Sequence, residues 1–266
     1  MAALQGVTEL FPISSLGHAV VLPRLLGWPI DLKAPDWLAY LVVMHLGTAI
    51  ALFAYFWRDW VAFGLSLIGS GAPGSTADRR IFLLVVLATI PAIIVGSVFR
   101  KLLGDAFATP AIAAGLLLIN GVILYFGDMI GGETVGGLDQ LNWKGALAVG
   151  LAQCLALIPG ISRSGSTIVA GVSAGLRHEE SARFSFLMGA PIILAANVYE
   201  APKLFKAGAT LGPMAVLSGV VAGVVAYASL IFLMRYFRRH EFEAMSPFAY
   251  YCWAAGVVSL AIIAFR

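Results

Sequence analysis

Apolar and polar residues fall along this chain in blocks, without the period of two or 3.6 that marks a half-buried strand or helix. Six apolar runs, at about 38–57, 81–99, 106–127, 182–199, 210–234 and 246–265, keep formal charge to their ends. A helix needs about 20 residues to cross the ~30 Å apolar layer of a bilayer, so these runs predict six transmembrane helices. Two other regions are apolar but broken. In 1–28 the pieces 1–11 and 16–26 are joined by Pro12-Ile13-Ser14-Ser15, and in 143–176 the pieces 143–158 and 164–176 flank residues 159–163. Each piece is too short to span, which suits a re-entrant hairpin that enters and leaves by one face.

The order of these blocks repeats. Residues 1–127 read as a hairpin (1–28) plus three crossings, 128–142 as a linker with four glycines, and 143–266 as a second hairpin (143–176) plus three crossings. Sliding residues 5–21 along by 148 pairs Gln5 with Gln153, Ile13 with Ile161, Ser14 with Ser162, Gly17 with Gly165 and Val21 with Val169, five identities in 17 positions. Three crossings carry the chain to the opposite face, so the second half enters from the other side. The expected fold is therefore an all-α polytopic membrane protein built as an inverted repeat, in which two broken helices meet near the midplane. Residues 58–80 read as a connection, with Ser70-Gly71-Ala72-Pro73-Gly74-Ser75 as an exposed turn.

Composition agrees with that class. Of the 266 residues 60% are hydrophobic and 12% charged, against about 25% charged in soluble domains. A net charge of +3 without basic runs leaves no case for nucleic acid and points to membrane lipid as the surroundings. Cys154 and Cys252 lie in apolar segments without metal-ligand spacing and read as packing residues. No cleavable signal is visible at the start. Putting the loops after Trp57, Gly127, Leu176 and Met234 on one face collects nine Lys/Arg against seven on the other. That excess places the nine-residue side in the cytoplasm and both termini outside.

The candidate chemistry sits at the two breaks. Arg163 is the only formal charge in residues 145–176, and an arginine costs about 2.5–3.5 kcal/mol at a bilayer centre, so it needs an anion or a wet cavity. Pro159-Gly160 ends one half-helix and Ser162 caps the next, exposing the N–H groups of Arg163, Ser164 and Gly165. A helix start beside a guanidinium binds phosphate oxygens. The plainer alternative is that Arg163 snorkels to an interface or pairs with a buried carboxylate. In the first break Gln5 and Glu9 share a helix face, and Ser14, Ser15 and His18 follow within ten residues of Glu9. An acid, a hydroxyl and an imidazole supply a metal ligand or base, a nucleophile and a proton carrier. His45 is placed to reach the site but reads slightly better as a hydrogen-bonded packing residue, Asn120 reads as an interhelical contact, and His178 and His240 as solvated surface.

With these residues in hand a resemblance is apparent. Gln5-Gly6-Val7-Thr8-Glu9 followed by Leu10-Phe11-Pro12-Ile13-Ser14-Ser15-Leu16-Gly17-His18 resembles the first signature of the bacterial undecaprenyl-diphosphate phosphatases of the BacA type, and Pro159 to Thr167 resembles the second, PGxSRSxxT. The likeness continues through Thr89-Ile90-Pro91-Ala92, Phe184-Ser185-Phe186-Leu187 and Pro247-Phe248-Ala249.

The resemblance implies hydrolysis of undecaprenyl diphosphate to undecaprenyl phosphate at the outer face of the cytoplasmic membrane, which recycles the lipid carrier of cell-wall synthesis. It also implies a divalent metal, Mg²⁺ or Ca²⁺, and tolerance of bacitracin. Glu9, Ser15, His18, Ser162, Arg163, Ser164 and Thr167 fall on the family's active-site positions. Gln5 is the variable first member, which leaves Glu9 as the main metal ligand. Ser14 and Gly165 complete the expected diphosphate-binding set. Either Ser15 attacks with His18 as base, or His18 attacks or activates water. The rival class is a polyprenyl-phosphate flippase or other inverted-repeat transporter, which shares the architecture and lacks a need for a nucleophile. The sequence does not fix the oligomeric state; a homodimer is among the states it allows.

Overall fold

The computed structural model describes residues 1–32, 34–69, 75–107, 109–130, 136–206, 212–240 and 243–265. Most of the turn expected at 70–75, and residues 131–135 of the expected linker, lie outside the described residues. The helices are α1 (Ala2–Thr8), α2 (Ser15–Leu25), α3 (Pro35–Tyr55), α4 (Trp57–Leu67), α5 (Ser75–Phe107), α6 (Pro110–Ile130), α7 (Trp143–Gln153), α8 (Arg163–Ser173), α9 (His178–Lys206), α10 (Pro213–Arg239) and α11 (Ser246–Ala264). A 3₁₀ turn at Cys154–Leu157 follows α7. Among the described residues there is no strand, only an isolated bridge between Gly136 and Leu176.

Six helices, α3, α5, α6, α9, α10 and α11, are long and apolar enough to cross a membrane, so the chain is an all-α polytopic membrane protein. At 7 and 11 residues, α1 and α2 are too short to do so. Exposed Ile50, Val98, Val198, Val224 and Val257 line the outsides of five of the spans, as expected of surfaces whose solvent is hydrocarbon.

Three sequence expectations need correction. The connection after the first crossing is largely helical, because α4 begins two residues after α3 ends and α5 begins at Ser75, before the apolar run does. Charged Arg58, Asp59, Asp78, Arg79 and Arg80 occupy those extensions; hydropathy marks the slab a helix crosses, not where the helix stops. Residues 106–107 belong to α5, and α6 starts at Pro110, where a proline suits the first helical turn. His178, expected on the surface, is only 2% exposed. It opens α9 beside the bridge that closes Leu176 onto Gly136.

Packing relies on small residues where helices cross. A Cβ on Gly47 of α3 would lie 2.0 Å from the Gly219 carbonyl oxygen of α10, so the two backbones touch there. Gly219 and Gly223, four apart on α10, both face Gly47 or Val43, the small-xxx-small pattern of close membrane helix pairs. The short helices are seated the same way. Gly6 of α1 lies against Ala222 of α10, and Gly150 of α7 against Ala88 of α5. Helices α1 and α7 therefore each lean on a long helix from the other half of the sequence.

These contacts set a stability test. Gly47→Ala should lower the thermal unfolding midpoint of the detergent-solubilised protein, since overpacking costs about 1–3 kcal/mol. Gly115→Ala on α6, where an added Cβ meets nothing within 4 Å, should leave the midpoint unchanged or raise it. Equal midpoints for the two variants would show that the α3–α10 crossing is not packed as described.

Candidate active site

Both breaks are built by local backbone chemistry. In the first, Glu9 caps the end of α1 and the chain turns through Leu10–Ile13 into Ser14, the N-cap of α2. Ser14 holds φ 69°, a left-handed conformation costly for a residue with a side chain. Its hydroxyl oxygen accepts the Gly17 N–H of its own helix and the Gly160 N–H of the other break, both at 3.2 Å. In the second, α7 gives way to the 3₁₀ turn, Gly160 turns at φ 110°, and Ser162 caps α8 by accepting the Gly165 N–H at 3.1 Å.

The two breaks lie directly against each other. Asn120 of α6 bridges them: its amide nitrogen donates to the Pro12 carbonyl and its amide oxygen accepts the Ser162 N–H, both at 2.9 Å. Ser164 donates to the Phe11 carbonyl at 3.2 Å, and the Ser162 and Ser164 hydroxyls are 3.1 Å apart. All four of Ser14, Asn120, Ser162 and Ser164 are buried. Buried polar groups need partners, and here each break supplies them for the other.

At this junction Glu9, 8% exposed, gathers the reactive side chains. Its Oε2 accepts the Ser15 hydroxyl at 2.6 Å and the Gln5 amide at 3.1 Å, and stands 3.4 Å from Nε2 of His45. Its Oε1 faces Nη2 of Arg163 at 3.6 Å. The arginine lies flat over α9, with Nη1 donating to the Ser185 carbonyl at 3.2 Å and packed where a Cβ on Gly189 would intrude at 2.3 Å. Its Nε and Nη2 are buried without a hydrogen-bond partner. Arg163 does pair with a buried carboxylate, yet that leaves two strong donors unused.

The sequence-derived candidates thus divide. Gln5, Glu9, Ser15 and Arg163 meet. Thr167 points away, to Ser185 Oγ at 2.6 Å and the Arg163 carbonyl at 2.7 Å. The Gly165 N–H, expected to be exposed to ligand, is taken by the Ser162 hydroxyl, and the Ser162 N–H is taken by Asn120. His18 is not hydrogen-bonded to Ser15: its Nδ1 donates to the Ser14 carbonyl at 2.7 Å and its Nε2 accepts the Tyr251 hydroxyl at 2.8 Å.

Four contributors lay outside the expected set: His45, Tyr251, Ser185 and Gly189. His45 was weighed for the site and read as a packing residue, although an imidazole inside an apolar run needs a partner. Ser185 lies in one of the stretches that carry the resemblance, and nothing in the pattern marks Tyr251 or Gly189.

Comparisons of the sequence with known proteins match nearly the whole chain. The chain is 49% identical to an undecaprenyl-diphosphatase of Acidiphilium cryptum (strain JF-5) over 99% of its own length and 96% of the relative's. It is 48% identical to one from Granulibacter bethesdensis, covering 100% and 95%, and 45% identical to an undecaprenyl-diphosphatase 2 of Chromobacterium violaceum, covering 97% and 95%. The sequence model of the family described as bacitracin resistance protein BacA matches residues 1–258, which takes in both broken helices, five of the six spans and most of α11, and the chain belongs to the BacA family.

Proposed function

We propose that this chain hydrolyses undecaprenyl diphosphate to undecaprenyl phosphate and inorganic phosphate in the bacterial cytoplasmic membrane, with the site open to the outer face. The observation that carries the reading is an arginine, its side chain 13% exposed, with two buried nitrogens that lack a hydrogen bond, beside a serine whose hydroxyl is 2.6 Å from a carboxylate. Binding alone needs the arginine; a hydroxyl aimed at a base adds chemistry. Relatives of nearly the same length bear the matching name.

The side chains support a two-step transfer. Arg163 grips oxygens of the diphosphate, spreading the charge that develops on the terminal phosphoryl group. Ser15 Oγ attacks the terminal phosphorus and releases its proton to Glu9 Oε2. The P–O bond to the bridging oxygen breaks, and undecaprenyl phosphate leaves with that oxygen. Water then attacks the phosphoserine, the P–Oγ bond breaks, and Ser15 recovers a proton as phosphate departs. His18, held by Tyr251 and Ser14, takes no part in the hydrogen bonding of Ser15 in this arrangement. The prenyl tail calls for a lipid-open path between the halves. The reciprocal seating of α1 on α10 and α7 on α5 supports reading those halves as an inverted repeat.

The donor set fits a divalent cation such as Mg²⁺ or Ca²⁺. A buried carboxylate, a hydroxyl and a carboxamide lie within 3.1 Å of one another through Glu9, and hard cations take oxygen ligands of these kinds. Glu9 would hold the ion, with the Gln5 amide turned to present its oxygen. When bound, it would neutralise phosphate charge.

Two measurements test the reading. Incubation with labelled substrate should trap an acid-stable phosphoenzyme that Ser15→Ala abolishes and His18→Ala does not; an acid-labile, base-stable adduct would move the nucleophile to His18. Arg163→Lys replaces a planar fork with a point charge. With charge-assisted hydrogen bonds contributing about 1.5–3 kcal/mol, phosphate release should fall about 10- to 150-fold. Near-normal turnover would count against the phosphate seat. In the same assay EDTA should suppress release and added Mg²⁺ restore it.

A further inference from the structure

The chain contains two buried or half-buried histidines in the same local setting, and they differ in one respect. His18 and His45 each place Nδ1 2.7 Å from the carbonyl four residues earlier, Ser14 and Leu41. A carbonyl only accepts, so Nδ1 carries the hydrogen in both rings and Nε2 of the neutral ring presents a lone pair. For His18 that lone pair is satisfied by the Tyr251 hydroxyl at 2.8 Å. For His45 it faces Glu9 Oε2, another acceptor, at 3.4 Å.

The distance bears on what belongs in that gap. A charge-assisted N–H···O⁻ bond closes to about 2.7–2.9 Å, and the 3.4 Å between these atoms is longer than that. Two ligands of one ion, each about 2.0–2.2 Å from it, are held about 3–3.5 Å apart. Histidines that bind metals usually donate their other N–H to a carbonyl or carboxylate, which fixes the ring; Leu41 does this for His45. Oε1 of the carboxylate faces Arg163 at 3.6 Å and Oε2 faces His45 at 3.4 Å, so Oε2 would be the metal-facing oxygen, its other lone pair still accepting the Ser15 hydroxyl. Gln5 already contacts Oε2 through its amide nitrogen at 3.1 Å, and half a turn of that amide would offer its oxygen to the same ion.

We propose that His45 Nε2 is a protein ligand of the divalent cation, completing with Glu9 and Gln5 a site in which imidazole stands where the sequence led us to expect oxygen donors alone. The inference rests on the metal reading given above. It carries a preference: imidazole favours borderline first-row ions over Ca²⁺, so Mn²⁺ and Co²⁺ bind more tightly than Ca²⁺.

The test uses tag-free, full-length protein in detergent with Mn²⁺ alone. Paramagnetic resonance titration reports free Mn²⁺, and spin-echo modulation reports directly bonded ¹⁴N. Wild type should bind one Mn²⁺ with imidazole nitrogen modulation. His45→Ala and His45→Gln should both lose the modulation, and His45→Ala should bind about tenfold or more weakly. His18→Ala should keep both signals, which identifies the nitrogen. Agreement between the alanine and glutamine variants guards against a folding defect in either.

Binding without nitrogen modulation in wild type, or modulation that survives in both His45 variants, overturns the assignment and leaves Glu9 as a ligand. If wild type binds no Mn²⁺ and phosphate release is indifferent to EDTA, the metal reading itself falls and this ligand with it.

Discussion

The structure depends on one ion pair between residues 154 positions apart, Glu9 and Arg163. Neither charge has a reason to be in a membrane alone. Taking an ion out of water costs several kcal/mol even after relaxation, and removal of one partner strands the other. Each break in the helices therefore stabilises the charge the other introduces. Because the pair is long at 3.6 Å and Arg163 keeps two donors unsatisfied, the attraction is incomplete. An incomplete buried pair is a poor stabiliser and a good receptor: a phosphate oxygen would supply the contacts that Glu9 does not.

Around that pair the fold is a means of bringing backbone close to backbone. The glycine contacts of α3 with α10 and of α1 with α10 remove side-chain thickness where the short helices must sit deep. Asn120 then satisfies groups of both breaks at once. A single carboxamide with a donor end and an acceptor end suits this position as no hydroxyl or carboxylate does.

The sequence disclosed what composition and local chemistry encode. Six apolar runs and two broken ones are statements about the thickness of the surrounding layer, and six long helices follow from them. The Ser162 cap on α8 and the glycine turn at 160 are local and were readable for the same reason. Contacts between distant helices were not. His45 is set beside Glu9 by the way α3 packs near α1, and its period along α3 matches that of any packing residue. Tyr251 reaches His18 from the last helix, 233 positions away. His178 was misread because neighbouring charges describe a loop's composition and not the depth at which its next helix starts. Helix α4 was missed because charge at its start resembles charge in a loop.

One oxygen joins the two breaks to α2, the helix that Ser15 opens. Ser14 Oγ accepts both from Gly17 of α2 and from Gly160 of the opposite turn. Any excursion that parts the turns to admit a lipid headgroup, or to let phosphate out, pulls on the same atom that starts α2. Gate and helix end would then form one latch, with Ser15 the next residue along.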